Sequence, residues 1–142
     1  SGGGAPTSAY TLEPHVALVV DVTFATDSPD MEKKELGEHK IGGGPVLTRG
    51  SAAHPVVFER LVEVAEREKI PYTISASPRF TSTDADAIYL SRAGVPTGVI
   101  SVPNRYMHSP NELVSRQDLQ ARARLIAAFC RDLGPDVDFI PR

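Results

Sequence analysis

The hydrophobic positions of this chain fall into short β-branched runs that are separated by longer segments with a helical period. Strand-length apolar runs occupy residues 15–20, 70–75 and 97–102. The segment that begins at Pro55 instead repeats its apolar side chains every three or four residues, and its predicted shared face consists of Val56, Val57, Leu61, Val64 and Ala65. Strands that alternate with helices are typical of βαβ units, so the pattern predicts an α/β domain.

Two further helices are indicated by their end signals. Thr83 is a predicted N-cap, Asp84 and Asp86 complement the positive end of the helix that follows, and Gly94 ends that helix after residue 93. The last helix is predicted over residues 116–133, and its spacing predicts a buried face of Leu119, Ala123, Ile126, Cys130 and Leu133. On this pattern the cysteine is a small core residue.

Residues 23–44 form a long polar segment that contains Pro29 and a mixed charge run at residues 32–35. A loop of this length in a compact domain is usually functional or disordered. Two interpretations stay open: a solvated surface loop, or an element that serves an interface or a substrate rim. Residues 42–45 (GGGP) lack the G-x-G-x-x-G spacing and the Lys-Ser/Thr pair of phosphate-binding loops, which disfavours a nucleotide site.

Asp21 and His108 each follow a predicted buried strand and are the main candidates for chemistry. Ligands of an open α/β sheet bind beyond the carboxyl ends of its strands, so side chains far apart in sequence can face one site. A carboxylate and a neutral imidazole suit Zn²⁺, Co²⁺ or Mn²⁺. Pattern alone leaves open the alternatives of a turn-capping aspartate and a structural histidine. His15, His39 and His54 are predicted surface residues.

The composition limits the classes of partner. The 142 residues carry a net charge of −3 with 41% hydrophobic and 23% charged residues, which suits one globular domain over residues 1–142. Dispersed Lys and Arg argue against nucleic acid, and the apolar runs are far shorter than the roughly 20 residues of a membrane helix. No signal pattern is visible, so we expect a cytoplasmic protein. The single cysteine excludes an internal disulfide and a Cys-based zinc site.

Several motifs at consistent spacing resemble the C-terminal part of the tetrahedral aminopeptidases, which belong with the glutamyl aminopeptidases and the so-called cellulase M relatives. These motifs are residues 21–29 (DVTFATDSP), 43–46 (GGPV), 70–72 (IPY), 83–88 (TDADAI), 94–97 (GVPT) and 105–110 (RYMHSP). They extend in order over nearly the whole chain, and together they are far more specific than any one of them.

The resemblance implies a three-layer α/β/α sandwich of the zinc-dependent exopeptidase type, of which this chain is the C-terminal portion. It implies a cytosolic peptidase that uses two divalent metal ions (Zn, Co or Mn), removes N-terminal residues from peptides and commonly assembles as a dodecamer. Asp21 matches the aspartate ligand of one metal, and His108 matches the histidine ligand of the other.

Four further residues match positions near that site. Arg105 and Tyr106 flank the histidine, and Asp27 and Asp84 match recurrent acidic positions. The resemblance implies that these residues support the metal ligands or contact the substrate. For Asp84, the role of an acid at a helix start is an equally open interpretation.

The chain departs from the family in lacking several catalytic groups. The general-base glutamate and a neighbouring glutamate ligand are expected upstream of Ser1, just before a glycine turn that residues 1–5 match, and the other histidine and aspartate ligands are expected further upstream. Residues 1–4 are alternatively an artificial linker. We therefore expect no catalytic base in this chain, inactivity in isolation and a requirement for the missing N-terminal half. The alternative is a non-catalytic assembly or peptide-binding module that retains the fold.

Overall fold

A computed structural model describes residues 3–29 and 31–140 of the chain. In chain order the elements are α1 (Gly4–Leu12), β1 (Ala17–Phe24), α2 (Lys33–Leu36), β2 (Val46–Gly50), α3 (Pro55–Arg67), β3 (Thr73–Ser77), α4 (Ala85–Ile88), β4 (Thr97–Arg105), β5 (Leu113–Val114) and α5 (Arg116–Arg131). The glycine turn expected at residues 1–5 falls partly on Ser1 and Gly2, which lie outside the described residues. Gly3 precedes α1 as its N-cap.

The strands form one mixed sheet in the order β1-β4-β2-β3, and β5 extends it alongside β4. β1 and β4 are parallel, with Ala17 opposite Thr97 and Phe24 opposite Asn104. β2 and β3 are also parallel, whereas β2 runs antiparallel to β4. The carboxyl ends of β1 and β4 therefore lie next to each other at one edge of the sheet.

Helices cover both faces of this sheet and give it three layers. α3 and α5 pack on one face, where Leu47, Leu61, Ile100, Leu125 and Phe129 are among the residues of the main core. On the other face α4 packs through Ala85 against Val19 and Val99. The prediction of an α/β domain with alternating strands and helices is confirmed, and α3 begins at Pro55 as predicted.

The strand that carries Asp21 differs from its prediction. β1 continues to Phe24, four residues beyond the predicted end of the apolar run, so Asp21 lies within the strand rather than after it. We predicted a buried strand, but Val19 is the only buried residue of the eight. The reason is that β1 is an edge strand with β4 as its only paired neighbour among the described residues.

The buried face of α5 was also predicted wrongly. The helix buries Asp118, Ala121, Leu125, Ala128 and Phe129, whereas Cys130 is exposed. Apolar residues occupy two adjacent stripes of this helix, and the stripe with the large Phe129 and Leu125 side chains fills the core. The cysteine is therefore not a core residue.

The helix after Thr83 is shorter than predicted, because α4 ends at Ile88 and not at residue 93. Arg92 has a left-handed backbone with φ of 54°. The side chain of Arg92 contacts the end of α1. Its Nε donates to the carbonyl of Tyr10 at 2.6 Å, and its guanidinium pairs with Glu13, the C-cap of α1, at 2.6 Å. Among residues 3–29 and 31–140, every helix is too short or too polar to span a lipid bilayer.

Candidate metal centre

Asp21 presents a half-buried carboxylate on β1, in register with Ser101 of β4. Its Oδ1 accepts a hydrogen bond at 2.8 Å from the backbone N–H of Val22, which orients the carboxylate along the strand. Arg122 of α5 donates to the backbone carbonyl of Asp21 at 3.2 Å. This position on β1 is therefore fixed both from its own strand and from the helix layer.

His108 follows β4 as predicted, but it lies three residues past the end of the strand because β4 extends to Arg105 and not to residue 102; the turn has an unusual backbone. Tyr106 and His108 have φ values of 59° and 68°. Non-glycine residues seldom adopt this left-handed region, and such conformations cluster at functional sites. The backbone N–H of His108 donates to Glu112 Oε1 at 2.6 Å, which ties the turn together.

The imidazole of His108 is exposed and meets the end of β1. Its ring contacts the Phe24 ring edge-to-face, with the centroids 6.3 Å apart and an interplanar angle of 71°. Phe24 lies three residues beyond Asp21, which is roughly 10 Å along the strand. The turn after β4 therefore reaches β1, and the convergence of Asp21 and His108 on one site stays a prediction.

Asp27 and Arg105 form the firmest contact among the candidate site residues. Arg105 Nε donates to Asp27 Oδ1 at 3.0 Å, and its Nη2 donates to Oδ2 at 2.7 Å, so the pair is bidentate. The backbone N–H of Ile41 donates to Asp27 Oδ2 at 3.2 Å. Hydrogen bonding to the Arg105 guanidinium holds the pKa of Asp27 below its usual range. The pair joins the segment after β1 to the last residue of β4.

The donor types present fit a divalent metal only in part. A carboxylate oxygen at Asp21 and an imidazole nitrogen at His108 are ligands that Zn²⁺, Co²⁺ and Mn²⁺ accept. Within residues 3–29 and 31–140, however, no three His, Cys, Asp or Glu side chains lie close enough together to hold a metal ion. A complete site of four ligands therefore needs donors from outside these residues.

Tyr106 is exposed and borders a cavity of about 500 Å³ next to the histidine turn. Phe24, Met31 and Met107 supply apolar walls, and the buried Asn104 also lines the cavity. Since the Phe24 ring also contacts His108, this cavity adjoins the candidate metal ligand.

Asp84 is exposed before α4, whereas the neighbouring Asp86 organises the loop. The carboxylate of Asp86 accepts hydrogen bonds from the backbone N–H groups of Thr81 and Ser82 at 2.9 and 2.8 Å. The N-cap of α4 is Asp84 and not Thr83 as predicted, although Thr83 Oγ1 accepts from the N–H of Ala85 at 3.2 Å. In the motif that contains Asp84, the carboxylate that stabilises the turn before α4 is therefore that of Asp86.

Asp118 was not among the predicted site residues, and it is 1% exposed in the first turn of α5. Its two carboxylate oxygens accept the N–H groups of Gly42 and Gly44, each at 2.8 Å. An internal carboxylate therefore occupies the glycine N–H groups that a phosphate would need. This contact agrees with the expectation that residues 42–45 are not a nucleotide site.

The prediction of a surface position for His39 is wrong, because this histidine is 2% exposed. Its Nδ1 lies 2.7 Å from Thr73 Oγ1, and its backbone N–H donates to Thr26 Oγ1 at 2.8 Å. Burial lowers the pKa of His39. The segment of residues 23–44 is therefore not a fully solvated loop, since His39 anchors it against β3.

Of the other two histidines, one lies at the surface as predicted and the other does not. His15 is exposed, as predicted. His54 is half-buried at the start of α3, where its backbone N–H donates to the carbonyl of Thr97 at 2.7 Å. Burial lowers the pKa of His54 as well. His54 is therefore a structural residue and not a surface residue.

Comparison with known proteins identifies relatives of this architecture. The lysyl aminopeptidase of Pyrococcus furiosus is 38% identical over 138 residues, which cover 97% of this chain and 39% of that protein. A putative aminopeptidase of Acetivibrio thermocellus is 38% identical over 131 residues and matches 89% of this chain and 38% of its own length. The chain thus spans about two-fifths of these relatives, 39% and 38% respectively.

Solved structures agree with the fold and with the partial coverage. An aminopeptidase from Desulfurococcus kamchatkensis matches with a TM-score of 0.87 and 40% identity, covering 96% of this chain and 39% of that one. A TET aminopeptidase from a marine-sediment Thaumarchaeota archaeon matches with a TM-score of 0.88 and 32% identity, covering 96% and 38%. These matches confirm the resemblance and the expected sandwich.

The family model described as M42 glutamyl aminopeptidase matches residues 2–125, which include Asp21, Asp27, Arg105 and His108. The chain belongs to the M42 glutamyl aminopeptidase family.

Proposed function

We propose that this chain supplies the C-terminal part of the catalytic domain of a metal-dependent aminopeptidase, a hydrolase that removes N-terminal residues from peptides. The observation that carries the proposal is the family match over residues 2–125, on a sheet whose parallel neighbours β1 and β4 bear Asp21 and lead to His108. Function in such sheets is concentrated at the carboxyl ends of the strands.

Asp21 and His108 are the residues of this chain that would hold the metal ions. Two divalent ions of the Zn, Co or Mn type are proposed, each with one ligand from this chain. Bound ions of this kind supply Lewis acidity, which polarises a peptide carbonyl and makes water more acidic. Asp27 and Arg105 orient the histidine turn, because their bidentate contact fixes the residue that begins it.

The peptide substrate fits the surroundings of the histidine turn. The cavity of about 500 Å³ bounded by Phe24, Tyr106 and Met107 has room for an apolar side chain. In the proposal Tyr106 and Asp84 contribute to substrate contacts or support the site.

The general base and the remaining ligands come from residues that this chain does not contain. General acid–base catalysis contributes about 10²–10⁴-fold, and a metal site needs several positioned ligands. The isolated chain is therefore proposed to be inactive and to act with an N-terminal complement in the cytoplasm. The TET1 peptidase of Pyrococcus horikoshii is described as assembling into a tetrahedron or a large octahedral shell, which supports an oligomeric holoenzyme.

The test joins this chain to the part of the Pyrococcus furiosus lysyl aminopeptidase that lies outside the matched region. The fusion is expected to cleave aminoacyl amides, and Asp21→Asn and His108→Ala are each expected to lower kcat/KM by more than about 100-fold, since even groups that only orient metal ligands are worth about 10–100-fold. His15→Ala, at an exposed histidine, is the matched control. A folded fusion that assembles and binds peptide but cleaves nothing supports a non-catalytic module instead.

A further inference from the structure

His108 lies in a hairpin loop that burial does not hold in place. β4 and β5 are antiparallel, with Arg105 opposite Leu113, so residues 106–112 form the loop that connects them. Residues 108–114 are all exposed, and β5 is only two residues long. The edge-to-face contact with Phe24 reaches the ring of His108 and not its backbone. Polar contacts within the loop therefore have to fix the backbone of the histidine.

Glu112 makes the hydrogen bond that holds this backbone. The N–H of His108 donates to Glu112 Oε1 at 2.6 Å. Among residues 3–29 and 31–140, this carboxylate is the only hydrogen-bond partner of His108. A backbone N–H forms a stronger hydrogen bond with an ionised carboxylate than with a neutral acceptor. The residue that directly precedes β5 thus reaches back across the loop to the candidate metal ligand.

The backbone of His108 needs such a contact because its conformation is unfavourable. Its φ of 68° lies in the left-handed region, where the Cβ of an L-residue crowds the following carbonyl oxygen. Residues persist in this region only where the surrounding structure holds them there. In an exposed loop, loss of the Glu112 hydrogen bond is therefore expected to release His108 into other conformations, which direct the imidazole elsewhere.

We propose that Glu112 is a positioning residue for the metal ligand His108, an inference that rests on the proposed function. Its carboxylate holds the His108 backbone in the left-handed conformation and so keeps the imidazole at the end of β1, where the ring meets Phe24. Glu112 acts through the backbone N–H of His108 and does not itself bind the ion. Asp27 has a different role, because it holds Arg105 at the start of the loop.

Three substitutions of Glu112 separate the reach of its side chain from its charge. Glu112→Gln keeps an acceptor oxygen at the same distance from the backbone, whereas Glu112→Asp keeps the charge on a side chain that is one methylene shorter. Glu112→Ala removes both the acceptor and the charge. Asn111→Ala is the matched control, because Asn111 is exposed in the same loop and the variant keeps the backbone N–H that donates to Ser109 Oγ at 3.2 Å.

The first measurement is the affinity for Zn²⁺, by titration calorimetry, of this chain fused to the part of the Pyrococcus furiosus lysyl aminopeptidase outside the matched region. Glu112→Ala and Glu112→Asp are each expected to weaken Zn²⁺ binding by about 10–100-fold, as for other groups that orient metal ligands. Glu112→Gln is expected to recover most of the affinity that Glu112→Ala loses. Asn111→Ala is expected to bind Zn²⁺ as the unsubstituted fusion does.

Amide hydrogen exchange of the metal-free fusion gives a second readout that needs neither the ion nor activity. Exchange at His108 is expected to be about tenfold faster or more in Glu112→Ala and Glu112→Asp, because the hydrogen bond to a charged acceptor is lost. The free energy of unfolding in urea is expected to stay unchanged, since the loop is exposed. A loss of stability that accounts for the lost affinity would assign Glu112 a purely structural role and overturn the inference.

The remaining outcomes separate this inference from the proposed function. Affinity that Glu112→Asp retains and Glu112→Gln loses would mean that the charge itself acts on the ion, which overturns the positioning role. Unchanged Zn²⁺ affinity in all three Glu112 variants, with a loss in His108→Ala, overturns the inference and leaves the proposed function intact. Unchanged affinity in His108→Ala contradicts the proposed metal ligand, and with it both the proposed function and the inference.

Discussion

Asp118 holds the glycine segment before β2 by a buried carboxylate that accepts two backbone N–H groups. Replacing Asp118 by Asn turns one acceptor into a donor that faces a glycine N–H. We expect the free energy of unfolding to fall by about 1–3 kcal/mol, the cost of leaving a buried donor unsatisfied. Urea denaturation measures the change, and Glu63→Gln at an exposed position of α3 is the control. Equal stability of both variants would mean that the hydrogen bonds to the Asp118 carboxylate do not stabilise the fold.

His39 makes the stability of the fold depend on pH. Burial lowers its pKa from 6.5, so the unfolded chain binds the proton more readily than the folded one. The stabilisation is complete above pH 6.5 and is lost as the pH falls through the lower folded-state pKa. His54 contributes in the same direction because burial lowers its pKa as well.

His39→Asn retains a polar atom near Thr73 and removes the titrating group. The drop in unfolding free energy between pH 7.5 and pH 5 is expected to be smaller in this variant than in the unsubstituted chain. His15→Ala, at an exposed site, should leave the drop unchanged. An identical pH dependence of His39→Asn and the unsubstituted chain contradicts the assignment.

Asp27 is expected to act on the metal site through Arg105. In Asp27→Asn the bidentate contact loses its charge, so the residue that begins the histidine turn is held less firmly. We expect the metal affinity of the complemented protein to fall by about 10–100-fold, as for other groups that orient ligands. Asp132→Asn breaks the carboxylate contact with Arg67 between α3 and α5 and serves as the control. Unchanged metal affinity in Asp27→Asn, measured by titration calorimetry, contradicts the positioning role.

Among the elements, α3 owes its close approach to β4 to Gly98. A Cβ at Gly98 would lie 2.8 Å from Val57 Cγ1 and 3.0 Å from Leu61 Cδ1. Gly98→Ala is expected to lower the unfolding free energy by about 1–3 kcal/mol through overpacking. Gly134→Ala, where a Cβ meets nothing within 4 Å, should be neutral in the same urea titration. An unchanged unfolding free energy in Gly98→Ala would show that α3 and β4 can move apart without loss of stability.

The elements with strong local signals were predictable, and those held by distant contacts were not. Pro55 and a regular apolar stripe identified α3, and the β-branched run identified β4. α1 begins in a glycine-rich segment, and it contacts Arg92, which lies 82 residues after Tyr10. The orientation of α5 depends on which of two apolar stripes fits the core, and that choice is made by the space around Phe129 rather than by the helix itself.

At the scale of the whole molecule, the family motifs predicted the α/β/α sandwich and the candidate site residues. The sequence did not predict which distant residues contact one another around the site. The Asp27–Arg105 contact joins two motifs whose residues are 78 positions apart, and Asp118 reaches 74 positions back to Gly44. Pattern also predicted a buried β1, whereas only Val19 of its eight residues is buried, because β4 is its only paired neighbour among the described residues.

The most direct test of the account is a paired hydrolysis assay with added divalent metal. The purified 142-residue chain and its mixture with the complementary part of the Pyrococcus furiosus enzyme are compared on aminoacyl amides. We expect no measurable turnover by the chain alone, metal-dependent cleavage by the mixture above that of the complement alone, and loss of that cleavage with His108→Ala. Robust metal-dependent hydrolysis by the chain alone would contradict the account, since the base and the missing ligands would then have to lie among residues to which we assign structural roles.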